Sequence, residues 1–266
     1  MTLEEIIAQS IDRVIYEGYS GVHFEDQIDY AVIPKTVKWL QAIKSGIPNV
    51  AKSIYSSFYI NLIPFIKNKN VFKDKNSTIS VRVQINNIGN DYKIHKGIEA
   101  MTYINGNGFA IVVNINPIVD ISILRDTLKH ELTHSVDHLI SNICNYKINR
   151  HQLNSFDAYS NIPYEIKFIM YCLWDTTEFN AWQTSYKYAS GGFNEFIEQL
   201  MNYLRKANDN NDPNVWSELR YYLIEKSSLG SSGDRDFRRS PLQAVKKYFI
   251  TTSFNKLKKY IKKVKM

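Results

Sequence analysis

The sequence predicts an α+β fold, with a small twisted sheet and one long helix in one lobe and a mainly helical second lobe. Apolar and polar residues alternate over 79–85, and a second strand-like segment covers 109–116. This alternation is typical of half-buried strands. Apolar residues then recur at three- and four-residue steps over 121–141, which indicates an amphipathic helix with one buried face. A chain of 266 residues can bury one large core, or a core divided by a cleft.

The first part of the chain, residues 1–75, is predicted to be an N-terminal helical region. An apolar stripe recurs with helical spacing over 3–17. Two further helices are predicted at 36–45 and 49–67, and Pro64 lies late in the second of them, where it kinks or ends a helix. We interpret the many aromatic and aliphatic residues of 49–67 as core packing.

The middle part, residues 76–206, is predicted to be the central core of the protein. A short strand is expected over 99–104, and Asn105–Gly108 is a hairpin-type turn signal that leads into the strand at 109–116. The long helix follows directly, and either Asp120 or Ser122 can cap its first turn.

The remaining chain reads as helical, and residues 207–266 are predicted to be a C-terminal helical region within one continuous globular unit. Small polar residues and glycine indicate a flexible loop over 227–236. The predicted helical segments are 164–188, 193–206, 215–226 and 241–265.

The excess positive charge of the protein lies near its C-terminal end. The formal net charge is +7 and the isoelectric point is about 9.1. No acidic residue interrupts the lysines of the last predicted helix, which are Lys246, Lys247, Lys256, Lys258, Lys259, Lys262, Lys263 and Lys265. Such a helix can present a solvated face, or it can contact nucleic acid, an acidic protein or an anionic lipid surface.

The sequence shows no targeting segment. Met1–Glu5 is acidic, unlike the start of a signal peptide, and no apolar run approaches the ~20 residues of a transmembrane helix. The two cysteines, Cys144 and Cys172, lack metal-site spacing and are expected to be reduced, buried thiols. We therefore expect a cytoplasmic or virion-associated protein without a transmembrane segment.

The predicted long helix carries the motif His130-Glu131-x-x-His134. Residues four apart lie on one face of a helix, roughly 6 Å apart along its axis, so both imidazoles can bind one metal ion. Zn²⁺ accepts nitrogen, oxygen and sulfur ligands, and a catalytic zinc keeps one position for water. The carboxylate of Glu131 can then act as general base towards that water.

Residues His130–Val136 resemble the active-site helix of the zincin metallopeptidases, and most closely that of the gluzincins, which include thermolysin-like and toxin-type peptidases. Thermolysin-like members carry an acidic residue where this chain has His138, and here Asp137 comes one residue earlier. The H-x-x-G-x-x-H continuation of metzincins is absent. The resemblance implies zinc-dependent hydrolysis of peptide bonds, with Glu131 as general base and then proton shuttle.

Glu178 is the preferred candidate for the third zinc ligand. The segment Glu178-Phe179-Asn180-Ala181 resembles the E-x-x-A helix of gluzincins, and especially that of small phage-type zincin peptidases. Its distance from His134, 178 − 134 = 44 residues, is longer than in thermolysin-like enzymes and implies an insertion at about 141–163. The alternative is a glutamate that favours the positive end of a helix dipole. Other possible ligands are Asp137, His138, His151 and Asp157.

Peptide substrates of such enzymes lie antiparallel to an edge strand. Phe109–Asn114 is the predicted edge strand, with Phe109, Ala110 and Val112 as substrate-binding residues, although an ordinary sheet strand explains the pattern equally well. The residues that can stabilise the transition state are Tyr186, Tyr188, Arg150 and His151, and the sequence does not choose among them.

The sequence thus predicts a zinc metallopeptidase that acts on a protein or peptide substrate. One alternative is a non-enzymatic protein on a zincin scaffold, such as a phage structural or packaged component, that binds protein or nucleic acid through its basic C-terminal helix. Another is the peptidase component of a toxin. The intact motif favours the enzyme, because a scaffold has no need of Glu131.

Overall fold

A computed structural model describes residues 24–63, 77–89, 98–105, 108–143, 161–185, 193–227 and 231–260. Within these ranges the chain forms a mixed four-stranded sheet and a set of helices, which confirms the α+β class. The predicted helix at 3–17 lies outside the described residues. The chain divides into two compact units, of which the first comprises 1–147, 183–190 and 264–266, and the second comprises 148–182 and 191–263.

The first unit begins with two short helices, α1 (Phe24–Ala31) and α2 (Ile33–Lys44). Pro34 lies in the first turn of α2, where its missing N–H has no helical partner to lose. The helix predicted at 36–45 is therefore confirmed and begins slightly earlier. The indole N–H of Trp39 donates to the carbonyl of Ala51 at 2.7 Å and ties α2 to the segment that leads into the sheet.

The sheet of the first unit has the order β1-β2-β4-β3. Its strands are β1 (Ser53–Asn61), β2 (Thr78–Asn87), β3 (Ile98–Asn105) and β4 (Gly108–Ile115). The β2–β4 pair is parallel, whereas β1–β2 and β3–β4 are antiparallel. The strand predicted from alternation at 79–85 is confirmed, and so are the strands predicted at 99–104 and 109–116.

The helix predicted over 49–67 is wrong, because β1 occupies the described part of this segment. Phe58 and Ile60 are buried, whereas Tyr55 and Tyr59 are exposed, so the segment has a period of two. Its aromatic and β-branched residues favour a pleated, half-buried surface. In a continuous apolar run the period of two cannot be recognised from the sequence, and it becomes evident only from the pairing with β2.

The long helix α3 (Ile121–Ile143) packs against β3 and β4. The side chains along the centre of its apolar stripe are fully buried. On β4, buried positions alternate with half-buried ones, and the buried set forms one face of the strand. The predicted helix at 121–141 is therefore confirmed. The fully buried residues of the stripe are Leu124, Leu128, Leu132, Val136 and Ile140.

Asp120 is the residue that caps α3. Its carboxylate accepts a hydrogen bond from the backbone N–H of Ser122 at 2.7 Å. The backbone and side-chain hydrogen bonds from Ser122 lower the pKa of Asp120 below its ordinary value. Of the two capping candidates, the structure selects Asp120 and makes Ser122 the donor.

The opposite face of the sheet carries a row of polar side chains across all four strands. Ser53 and Gln84 both donate to the Asn86 side-chain oxygen, at 2.7 and 2.8 Å. Asn86 donates to Asn114 at 2.9 Å, and Asn114 donates in turn to Glu99 at 3.4 Å. These bonds join neighbouring strands at one level and help to fix their register.

The second unit is helical in its described part. Asp175, with an extended ψ of 117°, interrupts the region predicted as one helix over 164–188. Its helices are α4 (Tyr164–Trp174), α5 (Thr176–Ser185), α6 (Phe193–Asp209), α7 (Pro213–Ser227), α8 (Ser231–Arg239), α9 (Pro241–Ala244), a π-helical segment (Val245–Ile250) and α10 (Thr251–Tyr260).

The loop predicted over 227–236 is wrong, because α8 covers most of it. Phe237 packs edge-on against Trp216 of α7, with ring centroids 6.1 Å apart. Arg220, also on α7, donates to the carboxylate of Asp234 at 2.6 Å. These contacts with a neighbouring helix override the weak helix propensity of a serine- and glycine-rich stretch.

Candidate metal centre

The two histidines of the motif converge on one face of α3. Helical spacing places His130 one turn before His134, and the Nε2 atoms of the two rings lie 2.9 Å apart. The rings are nearly perpendicular, at 85°, with centroids 4.5 Å apart. Both side chains are half-buried, so a ligand can reach the two nitrogens.

This pair of nitrogens fits a zinc ion. A histidine nitrogen binds Zn²⁺ at about 2.0–2.1 Å. If an ion lay at that distance from both nitrogens, which are 2.9 Å apart, the N–metal–N angle would be about 90°. A tetrahedral angle requires the two nitrogens to be about 3.4 Å apart. A small rotation of either ring supplies this difference. The donor set and spacing are therefore suited to zinc.

Glu131 lies between the two histidines in sequence and is almost buried, with 9% of its surface exposed. Its carboxylate Oε2 accepts a hydrogen bond from the hydroxyl of Thr102, on β3, at 2.6 Å. Ser135 donates to the backbone carbonyl of Glu131 at 3.0 Å. The sheet thus holds the carboxylate of Glu131 through Thr102, whereas the Ser135 bond involves only the main chain of Glu131.

The prediction that Phe109–Asn114 forms an edge strand is wrong. β4 pairs with β2 on one side and with β3 on the other, so it is an inner strand. Among the described strands, β3 lies at the edge next to α3. The side chain of Phe109 is buried, and alternation directs Ala110 and Val112 to the opposite face of the sheet.

His138 has a different environment from the two motif histidines. Its ring packs edge-on against Phe109, with centroids 6.2 Å apart and planes at 88°. Asp137 is fully buried. The aromatic contact favours a packing role for His138, in agreement with the strain expected if His130 and His138 bound one ion from a straight helix.

Glu178 belongs to the second unit and lies in the first turn of α5. The Asp175 side chain caps this helix by accepting from the backbone N–H groups of Thr177 and Glu178, at 2.8 and 3.1 Å. Burial, and next the carboxylate of Glu178, raise the pKa of Tyr171 far above its ordinary value, and the Tyr171 hydroxyl hydrogen-bonds Glu178. Within this unit, Asp175 thus holds the backbone at Glu178, and the Tyr171 phenol contacts its half-buried carboxylate.

Three lysines of the basic C-terminal segment lie in different environments. Lys247 donates to Asp236 at 2.8 Å, and this hydrogen bond raises the pKa of the lysine. Lys256 is half-buried, and burial lowers its pKa. Lys259 is exposed. Part of the charge therefore serves the packing of the second unit, and 261–266 lie outside the described residues.

Thr102 is the site residue that the sequence did not reveal. Alternation in a strand over 99–104 places it on one of two faces, but only the packing of α3 on β3 shows which face meets Glu131. Five other candidates lie outside the described residues. They are Arg150, His151, Tyr186 and Tyr188, together with the possible ligand Asp157.

No protein-family model, curated protein or solved structure matches this chain. Within the described residues, no helix combines the length and apolar character needed to span a membrane.

Proposed function

We propose that this protein is a zinc-dependent metallopeptidase in which His130, His134 and Glu178 bind the ion and Glu131 is the general base. The observation that carries the proposal is the convergence of the two histidine nitrogens at 2.9 Å beside an almost buried glutamate. A metal explains why two imidazoles point at each other on a helix face. The neighbouring glutamate supplies the general base that the proposed chemistry needs.

When bound at such a site, zinc lowers the pKa of a coordinated water and polarises the carbonyl of the scissile peptide. The carboxylate of Glu131 accepts the proton that the attacking water loses, and then delivers it to the nitrogen of the leaving amine. Because Thr102 occupies Oε2, the other carboxylate oxygen, Oε1, is the one available to the proton.

The third ligand in this proposal is the carboxylate of Glu178. Two imidazoles alone leave a catalytic zinc short of its usual three protein ligands. Glu178 supplies an anionic oxygen, and the hydrogen bond from Tyr171 limits the positions that its carboxylate adopts. The proposal requires the second unit to present Glu178 to the two histidines, and the resemblance of 178–181 to the E-x-x-A helix supports it.

We further propose that the peptide substrate binds along β3 instead of β4. β3 is an edge strand beside the motif helix, and Thr102 on this strand contacts Glu131. Edge strands bind extended peptides through main-chain hydrogen bonds. The same role on β4 would require backbone groups that already pair with β2 and β3.

Metal content tests the histidines. The purified protein should contain about one zinc per chain after expression with zinc, and His130→Ala or His134→Ala should lose it. His138→Ala is the matched control, because that ring lies on the same helix but packs against Phe109, so its variant should keep the metal. Absence of zinc from the folded parent protein would reject the site.

Two glutamine variants separate the base from the third ligand. Glu131→Gln cannot accept a proton, so zinc should remain bound while turnover falls by at least ~10²-fold. Glu178→Gln removes an anionic ligand, so zinc affinity itself should fall. Glu165→Gln is the control for Glu178, because Glu165 also lies in the first turn of a helix of the same unit. If Glu178→Gln binds zinc as tightly as the control, the third ligand must be another residue.

A further inference from the structure

We infer that Thr102 is a positioning residue that holds the general base, an inference that rests on the proposed function. The Thr102 hydroxyl lies 2.6 Å from Oε2 of Glu131 and 3.3 Å from the backbone carbonyl of the same residue. The shorter contact is in the range of a strong hydrogen bond to a carboxylate. The hydroxyl proton therefore belongs to Oε2.

This contact removes freedom from a side chain that otherwise has several rotamers. Glutamate has three rotatable side-chain bonds, and a general base must keep its carboxylate within about hydrogen-bond reach of the proton it accepts. With Oε2 fixed by Thr102, the orientation of Oε1 is fixed too. Glu131 is 9% exposed, so water competes weakly for the same oxygen.

The position of Thr102 is itself determined by the sheet. Thr102 is paired with Ile111 of β4, and the fully buried side chain of Ile111 lies on the helix-covered face. A β-branched residue in a strand has few χ1 rotamers, so the direction of the hydroxyl is restricted. The general base is thus connected to the edge strand that we propose as the substrate strand. Occupation of β3 by a peptide and alignment of the base become coupled.

Hydroxyl removal tests this role. Thr102→Val keeps the β-branched shape and deletes the donor, so kcat should fall by roughly 10-fold or more while KM changes by less than about threefold. Thr102→Ser restores the donor and should recover most of kcat. Thr127→Val is the matched control, because the Thr127 hydroxyl bonds only the Ile123 carbonyl of its own helix, among the bonds described for it, at 2.8 Å. Its kcat should equal that of the parent.

A second measurement needs neither metal nor activity. In metal-free protein, Thr102→Val, Glu131→Met and the double variant form a cycle of urea denaturation midpoints. The valine change should lower the midpoint in the parent and have little effect in the presence of Glu131→Met, which has no oxygen to accept the bond. Equal effects in both backgrounds would overturn the inference.

The two readouts distinguish this inference from the proposed function. If the cycle shows coupling but Glu131→Gln retains full turnover, the proposed function fails, and Thr102 no longer positions a base. If Glu131→Gln is inactive but Thr102→Val retains the parental kcat, the function stands and the inference is overturned. A loss of kcat in Thr102→Val that Thr102→Ser does not reverse also overturns it.

Discussion

Gly108, the first residue of β4, is predicted to tolerate no side chain. A Cβ atom at this position would lie 2.1 Å from the carbonyl oxygen of Ser80 and 3.0 Å from its carbonyl carbon. Real Cβ contacts essentially never fall below 3.0 Å, so the strand end would have to move by roughly 1 Å away from backbone atoms that cannot rotate aside. A displacement of that size stretches normal hydrogen bonds of about 2.9 Å beyond their useful range.

The expected cost follows from the bonds that this movement weakens. Loss of two backbone hydrogen bonds at the end of a strand costs about 1–3 kcal/mol. Gly108→Ala should therefore lower the urea denaturation midpoint and reduce the melting temperature by roughly 2–4 °C per kcal/mol in a protein of this size. Asn105 pairs with Gly108, so the end of the edge strand β3 should be disturbed as well.

A matched pair of variants isolates the steric cause. Gly89 has a φ of +69° and no atom within 4 Å of a built Cβ, so only its backbone conformation resists substitution. Gly89→Asn should be nearly neutral, because asparagine tolerates this conformation and the chain already places Asn49 and Asn211 at φ of 61° and 48°. Gly108→Asn should be as destabilising as Gly108→Ala. Equal stability of the two asparagine variants would refute the steric argument.

Three further predictions concern the helix core, its cap and the edge strand. Leu132→Ala should cost about 2–5 kcal/mol in urea unfolding, because its side chain is fully buried in the apolar stripe of α3. Asp120 has a lowered pKa in the folded protein, so its contribution to stability should be present above pH 3.8 and lost as pH falls through the folded pKa. The stability difference between Asp120→Asn and the parent protein should therefore be largest at pH 7 and should shrink as the pH of denaturation is lowered below 3.8. Ala100→Pro should leave zinc content unchanged and raise KM for a peptide, whereas Met101→Pro should impair folding, as shown by circular dichroism.

The local part of this fold is readable from the sequence because its period is uninterrupted. β2 alternates strictly, and the α3 stripe repeats at four-residue steps from Leu124 to Ile140, so each predicts its own geometry. The histidine pair follows from the α3 geometry alone, since any helix places residues 130 and 134 on one face. The capping role of Asp120 is likewise local, because it involves an atom two residues away.

The non-local part could not be read in the same way. β1 was predicted as helix because its apolar residues run together, and its strand identity depends on pairing with β2, from Ser53 opposite Asn86 to Asn61 opposite Thr78. The inner position of β4 depends on its parallel pairing with β2, and β3 lies between these two strands along the chain. Thr102 reaches Glu131 across 29 residues. Such contacts are set by packing of separate elements, for which propensity is a weak guide.

The strand order changes where substrate recognition must be tested. Asn105 of β3 pairs with Gly108 of β4, and two residues separate them in the sequence. In a two-residue connection the flanking pair is hydrogen-bonded, and hydrogen-bonded pairs then alternate with non-hydrogen-bonded ones. The hydrogen-bonded residues of β3 are therefore Asn105, Tyr103 and Met101. The N–H groups of Ala100 and Thr102 then point away from β4, towards the free edge. Proline at an inner β4 position would break the sheet and report on folding, whereas proline at Ala100 removes one outward donor. Because Thr102 lies on this same strand and donates to the Glu131 carboxylate, a peptide bound there would lie beside the residue that we propose to orient the general base.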